Sequence, residues 1–460
     1  MTVTMAPAGT TAGSLDDLDP LDFALPDDEL RRIFAEKVVP LLFGGKRPDA
    51  DAPVLLLGGV PGSGKSTLFG KLRERYPCDF VVLDRDWFRQ FQEHPQAKEW
   101  IAKDPLAMPY VTEEVAGALL RMAVDHALEH GYGLVVENSL RTGYPLAVVD
   151  KAAAHGRAVH LGIMAVPHWQ SRLDATTRFL LPGQADARWT QHDSHEKCIP
   201  EVPKTLAELE KRPNVGRIDI SDRTRFPYSA ARGPDGAWPG GPGAVAAYQA
   251  AAGREPTPQE ARDWLNRYWT NTALAVDRGR LTATTRPRFA LLHRDADALA
   301  RRAYGGEHEA RALRHHRAAQ RVAGYVLEAS EAGVPARLLP AAPALFLRGD
   351  EALAGLADDP SLDPALRAAA MPYIVRERLR RTQITPEQAR VEESVRREAT
   401  AHLRTAAQTV RSFARTDFPR PVSAAGSRPA ADRTAAARQD RQDRRRQLMR
   451  RGQPGRRPTA

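Results

Sequence analysis

From Pro53 onward the chain alternates short apolar runs with longer amphipathic stretches, a pattern that predicts a parallel sheet covered by helices. Five runs read as strands: Val54–Gly58, Phe80–Asp84, Gly133–Glu137, Val159–Val166 and Gly216–Ile220. Most are too continuous in Val, Leu and Ile for half-exposed strands, as expected where helices cover both faces. Between them, Thr112–His130 carries Val115, Leu119, Met122, Ala123 and His126 along one helical face, with Thr112 placed to cap it. Ahead of the first strand, Leu30, Ile33, Phe34, Val38, Leu41 and Leu42 recur at helical spacing, with Asp27 or Asp28 as the cap.

The pattern breaks at Arg232–Gly243, where five Gly and three Pro allow neither a helix nor a strand interior. Beyond it, Thr257-Pro258-Gln259-Glu260 has the form of a capping box with Pro at the first helical position. Thr385-Pro386-Glu387-Gln388 repeats the signal ahead of a charged helix running towards Arg411. The expected organisation is therefore a flexible leader (1–24), an α/β domain (25–229), a Gly/Pro linker (230–243), a helical domain of unknown role (244–417) and a disordered Arg-rich tail (418–460).

The net charge of +10 invites a nucleic-acid reading, but its location changes that picture. Residues 420–460 hold 12 Arg and no Lys against 3 Asp, a net +9, so the rest of the chain is close to neutral. Any nucleic-acid contact belongs to the tail rather than to a basic groove on the folded part. Cys78 and Cys198 are too few for a disulfide framework, and His192, His195 and Cys198 lack a fourth zinc ligand. No apolar run approaches the roughly 20 residues that span a bilayer, and Met1–Pro20 has neither a basic n-region nor an apolar h-region, so a cytoplasmic location is expected.

The strongest chemical signal is Gly59-Val60-Pro61-Gly62-Ser63-Gly64-Lys65-Ser66, a complete G-x-x-x-x-G-K-[ST] loop. The strand Val54–Gly58 runs into it and Thr67, Leu68, Leu72 and Arg73 begin a helix behind it, as a P-loop requires. Backbone N–H groups from Gly59 to Thr67 would cradle the phosphates of ATP, Lys65 would reach the β- and γ-phosphates, and the Ser66 hydroxyl would ligate magnesium. The fold class is thus an α/β P-loop NTPase or kinase core, a parallel sheet flanked by helices, followed by a mainly helical region and a basic tail.

A phosphoryl acceptor needs a carboxylate near the γ-phosphate to take its proton. Asp84 and Asp86 lie at the C-terminal end of the second strand, where the ligand crevice of such sheets opens. One can cap the following helix, which leaves the other for chemistry. At the end of the third strand, Glu137 can hold an acceptor hydroxyl or a magnesium-bound water, and Arg141 can bind substrate phosphate through its planar fork. Further on, Arg178 and Arg188 are each placed to act as an in-cis arginine finger.

Taken together, the segments GGVPGSGKS (58–66), LDRDWFRQ (83–90) with His94-Pro95, VVENSLRT (135–142), MAVP (164–167), DATTRF (174–179) and ADARWT (185–190) resemble the zeta toxin family. Members of that family are P-loop kinases that phosphorylate UDP-N-acetylglucosamine and so starve cell-wall synthesis. The resemblance implies that Lys65 and Ser66 serve ATP and magnesium, and that Asp86 rather than Asp84 is the general base. It further implies that Glu137 and Ser139 touch the amino sugar, that Arg141 contacts substrate phosphate, and that Arg178 and Arg188 stabilise the transferring group. An antitoxin protein is the implied partner, and the sugar 3′-hydroxyl the implied acceptor. Asn138 departs from the pattern, which commonly has Gly there, and its side chain narrows the expected acceptor pocket. The competing readings are a kinase of another small hydroxyl compound such as an antibiotic or nucleotide, a polynucleotide 5′-kinase using the tail, and a non-catalytic nucleotide-binding module.

Overall fold

The computed structural model describes Leu15 and residues 18–394, apart from 77, 181–188, 242, 306–309, 332, 335–337, 340–354, 356–359 and 391–392. Arg188, most of the leader, the run towards Arg411 and the whole Arg-rich tail lie outside the described residues.

Six strands form one sheet in the order β2-β3-β1-β4-β5-β6. They are β1 (Val54–Gly58), β2 (Val81–Asp84), β3 (Leu134–Glu137), β4 (Val159–Met164), β5 (Val215–Ser221) and β6 (Tyr228–Ala231). The first five pair in parallel, which places β1 at the centre with Val54 between Leu134 and Val159. The expected parallel sheet thus gains one strand. β6 runs antiparallel to β5, pairing Ile218 with Ala230 and Ile220 with Tyr228. Its alternation of half-buried and exposed residues suits an edge strand covered on one side only.

The helices include α1 (Asp27–Ile33), α2 (Lys65–Arg73), α3 (Arg85–Phe88), α4 (Pro95–Lys103), α5 (Glu113–Glu129), α6 (Tyr144–Ala154), α7 (His168–Leu180) and α8 (His192–Lys211), with single α-turns at Val39–Leu42 and Met108–Val111. There follow α9 (Ala244–Ala252), α10 (Pro258–Asp277), α11 (Arg286–Ala303), α12 (Ala310–Glu331) and α13 (Pro364–Thr382). Successive residues of β1 point to opposite faces. Leu55 and Leu57 meet Leu68, Phe69 and Leu72 of α2 on one side, while Val54 and Leu56 join the core that includes Leu119 and Ala123 of α5 and Leu206 of α8. Each fully buried Leu contributes about 1.5–3 kcal/mol relative to exposure.

Two expected helix starts differ in detail. Pro26 precedes α1 and no side chain caps it; Asp27, Asp28 and Glu29 occupy its first turn, where acidic groups favour the positive helix end. A wider π turn at Phe34–Val38 shifts the phase of the helical rod, and Leu41 ends 43% exposed. Thr112 does not cap α5 either, because its hydroxyl donates to the Met108 carbonyl at 2.6 Å. In the second half, Thr257 and Glu260 make both bonds of a capping box, at 3.2 and 2.8 Å. Thr385 and Gln388 do the same at 3.2 and 3.0 Å.

The Gly/Pro stretch is tied to the sheet domain by polar contacts. Trp238 is buried and donates to the Glu210 carbonyl at 3.0 Å, the Glu210 carboxylate accepts the Gly243 and Ala244 amides, and Arg232 stacks over Trp238 at 4.4 Å. Past it, the helices share cores with the sheet domain. Trp264, Tyr268 and Trp269 of α10 cluster with Leu173 of α7. Leu274, Phe289, Val326 and Leu366 close on Phe23, Val111, Phe179 and Trp189. Among the described residues no helix is long and apolar enough to cross a membrane.

Candidate active site

β1 delivers the chain into a loop whose shape depends on glycine. Gly62 has φ +82°, and a Cβ there would lie 2.3 Å from the Ser171 carbonyl oxygen of α7, so the loop backbone lies directly against that helix. Gly64, at φ +99°, is the N-cap of α2, and Lys65 and Ser66 follow in the helix's first turn, where main-chain N–H groups lack helical acceptors. The Lys65 ammonium donates to the Gly59 and Val60 carbonyls at 3.1 and 3.4 Å and lies 3.7 Å from the Glu137 carboxylate. Its side chain is only 10% exposed, so this charge is held rather than loosely solvated.

Sheet register brings the acceptor side up to the loop, since Asp84 is level with Glu137 and Glu137 with Leu57. Asp84 caps α3 by accepting the Asp86 amide at 3.0 Å. The Asp86 carboxylate pairs with Arg89 at 2.9 Å. Asn138 accepts the Leu140 amide at 2.7 Å in a local turn, and Leu140 takes φ +55°, a conformation that costs a non-glycine residue about 1–2 kcal/mol. Burial and a bond from Thr205 to its carbonyl at 2.9 Å hold it there. Arg141 donates to the Ser194 hydroxyl at 3.1 Å and Arg178 to the Thr190 hydroxyl at 3.4 Å.

Lys65, Asp86, Glu137, Ser139, Arg141 and Arg178 all line one cavity of about 560 Å³. Residues from four separate parts of the sequence thus converge on it. Ser66 sits in the first turn of α2 and Thr67 beside it is exposed; neither lines the cavity wall. Asn138 does line the cavity.

Three further lining residues have no role assigned from the sequence: Arg85, within the 83–90 segment, and Arg121 and Tyr144 outside any motif. Gly117 is the signal that points to the first, because an interior helical glycine costs about 1 kcal/mol and needs a reason. A Cβ at Gly117 would sit 2.9 Å from the Arg85 guanidinium, which lies across α5 and pairs with Glu113 at 2.8 Å. Burial pushes the Tyr144 phenol well above its ordinary value, so it stays a neutral hydroxyl.

The histidine and cysteine cluster noted in the sequence has a structural role. His195 lies fully buried between the Ser171 hydroxyl, at 3.0 Å, and the Glu196 carboxylate, at 2.8 Å. That order of groups resembles a hydrolase triad, but Ser171 is fully buried and its hydroxyl also lies 3.1 Å from the His168 carbonyl, so no substrate reaches it. The Cys198 thiol donates to the Ser194 carbonyl at 2.9 Å, and burial pushes its pKa up. Among the described residues no group of His, Cys, Asp and Glu is arranged to hold a metal by itself.

A central parallel strand, a glycine loop against a helix start and a largely enclosed lysine beside the Glu137 carboxylate of the neighbouring strand define a P-loop kinase-like fold. The family model described as Zeta toxin matches residues 42–228 of the chain. The toxin zeta of Streptococcus pyogenes is 30% identical over 191 residues, covering 40% of this chain and 64% of that protein. The chain therefore spans just under two thirds of that relative. Toxin PezT of Streptococcus pneumoniae serotype 4 is 26% identical over 208 residues, covering 43% of this chain and 79% of that protein. A solved chain from the PezAT chromosomal toxin–antitoxin system of Streptococcus pneumoniae aligns with a TM-score of 0.42 at 21% identity, covering 53% of this chain and 94% of that one.

Proposed function

We propose that this chain is an ATP- and magnesium-dependent kinase that transfers the γ-phosphoryl group to an alcohol of a small molecule, UDP-N-acetylglucosamine at its 3′-hydroxyl. The single observation that carries the reading is the convergence of Lys65, Asp86, Glu137, Arg141 and Arg178 on one cavity at the mouth of the glycine loop. Residues Gly59 to Thr67 form the ATP cradle. Asp86 is the general base, a role supported by the engagement of Asp84 as a helix cap.

In the transfer, the acceptor hydroxyl gives its proton to the Asp86 carboxylate while its oxygen bonds to the γ-phosphorus. The bond from that phosphorus to the β–γ bridging oxygen breaks, and ADP leaves. Lys65 follows the β- and γ-phosphates, and Arg178 and Arg188 meet the charge on the transferring group. Glu137 and Ser139 orient the sugar, and Arg141 takes substrate phosphate. The donors near the loop, the Ser66 hydroxyl and the carboxylates, are all oxygen, which suits a hard cation. Magnesium at Ser66, when bound, supplies neutralisation of the phosphate charge.

The match of residues 42–228 to the Zeta toxin family model supports the further proposal that the protein acts in the cytoplasm as the toxin of a toxin–antitoxin pair, restrained by an antitoxin protein. The division into kinase domain (25–229), connecting segment (230–243) and helical region (244–417) belongs to the same proposal. Incubation with ATP, magnesium and a panel of UDP-sugars, nucleotides and oligonucleotides, read by mass, tests it. A phosphate gained by UDP-N-acetylglucosamine is expected. Phosphate gained only by a different compound replaces the acceptor, and phosphate gained by none overturns the kinase.

A further inference from the structure

We propose that Arg267, in the helical half of the chain, is a positioning residue for the phosphate loop, acting through Asp174 and Arg223. The helix between them is α7, which presents a different face to each neighbour. Ser171 and Ala175 touch the loop at Gly62, Arg178 lines the cavity, and Asp174 and Thr177 face α10.

α10 grips α7 along its length. Trp264 donates to the Trp169 carbonyl at 2.8 Å, Arg267 to Asp174 at 2.5 Å and to Thr177 at 3.1 Å, Asn271 to Thr177 at 2.8 Å, and Arg278 to the Leu180 carbonyl. The spacing 264, 267, 271 and 278 is one face of one helix. The buried Asp174 carboxylate has a second cation: its other oxygen lies 2.7 Å from the Arg223 guanidinium.

Arg223 is unusual in its own right. It has φ +82°, which for a non-glycine residue marks strain held by its surroundings. Lys71 donates to its carbonyl at 2.7 Å and the Ser221 hydroxyl accepts its amide at 3.3 Å. In that conformation the guanidinium donates to the Ser63 carbonyl at 2.9 Å and the Gly62 carbonyl at 2.7 Å. Because the peptide is planar and trans, turning the Ser63 carbonyl towards Arg223 turns the Gly64 N–H the opposite way. A chain of contacts, Arg267 to Asp174 to Arg223 to the two carbonyls, therefore joins the helical half to the shape of the loop. The claim concerns loop shape and rests on the kinase reading only for what the loop holds.

Hydrogen exchange by mass spectrometry on the full chain tests the relay without any nucleotide. In Arg267→Ala, exchange across residues 59–73 is expected to accelerate about tenfold, with a similar rise in Arg223→Ala and little further rise in the double variant. Arg267→Gln, which keeps the stem and a bond to Thr177, covers the case in which the alanine variant does not fold, and is expected to accelerate the same segment. Exchange confined to α7 and α10, or effects of Arg267 and Arg223 that simply add, overturns the relay. A parallel titration with magnesium-ATP separates the two claims. Wild-type protein that fails to bind sinks the kinase reading, while the exchange pattern decides the relay alone.

Discussion

The Asp84 carboxylate accepts the main-chain N–H of Asp86 at 3.0 Å, so the acid that ends β2 and the acid in the first turn of α3 hold different jobs although they stand two residues apart. Asp84 closes a helix start, and Asp86 is presented to the cavity beside Arg89. Asp86→Asn is expected to lower phosphoryl transfer by about 10²–10⁴-fold, the range of a lost general base, with the melting temperature unchanged. Asp84→Asn, which still caps, should leave stability nearly intact, whereas Asp84→Ala should cost about 1 kcal/mol. ADP release and thermal unfolding on the same three variants check this, and equal activity losses at both positions would sink the division of labour.

Gly62 is the least replaceable residue of the loop. A methyl group there would collide with the Ser171 carbonyl at 2.3 Å, and φ +82° adds strain for any side chain. Gly62→Ala is expected to destabilise the protein by about 1–3 kcal/mol and to abolish ATP binding, because relief requires the loop to leave α7. Urea unfolding and nucleotide titration check both effects. ATP affinity unchanged in this variant would mean that contact with α7 does not shape the loop.

The phosphate loop is legible in the sequence because its chemistry is local, with strand, glycines, lysine and helix following one another within Val54–Arg73. The same holds for the Thr257 capping box. β6 is not legible: Tyr228–Ala231 has no apolar run, and only pairing with β5 makes it a strand. The choice between Asp84 and Asp86 turns on a hydrogen bond rather than on residue type. Arg223 and Arg267 are hidden for a stronger reason. Each is one arginine among many, and what singles them out is a shared contact with Asp174 across long stretches of chain.

Asn138 and Leu140 form the tight turn that carries Ser139 into the cavity. The Asn138 side chain holds the Leu140 amide at 2.7 Å, and the Leu140 side chain lies where a Cβ on Gly58 would meet it at 2.5 Å. Asn138→Ala removes the bond that favours the left-handed turn and is expected to cost about 1 kcal/mol. Since Leu140 rests on the start of the phosphate loop, the same variant should raise KM for ATP as well as for the acceptor. A change in acceptor KM alone would show that the turn shapes only the acceptor side.

Acid should weaken the fold from an unusually high pH, because His195 is buried and kept neutral. Burial pushes its pKa from the ordinary 6.5 down to about 4, against the opposing effect of Glu196. Burial alone would raise Glu196, but hydrogen bonds from His195 and Arg172 outweigh it and hold that carboxyl below its ordinary value. In the unfolded chain His195 takes up a proton as pH falls through 6.5, while in the folded chain it does so only near 4. The unfolded state therefore binds more protons across that interval, so stability falls with falling pH. Glu196 acts with the same sign, extending the loss below the ordinary carboxylate range. His195 alone accounts for about 3 kcal/mol by pH 4. Urea midpoints measured between pH 7 and pH 4, conditions set by those two values, should drop steeply for the wild type. His195→Gln, which can still bond Ser171, should start less stable and show a shallower slope. An equally steep slope in that variant would assign the acid sensitivity to other histidines, buried His160 or half-buried His168, whose pKa values burial also lowers.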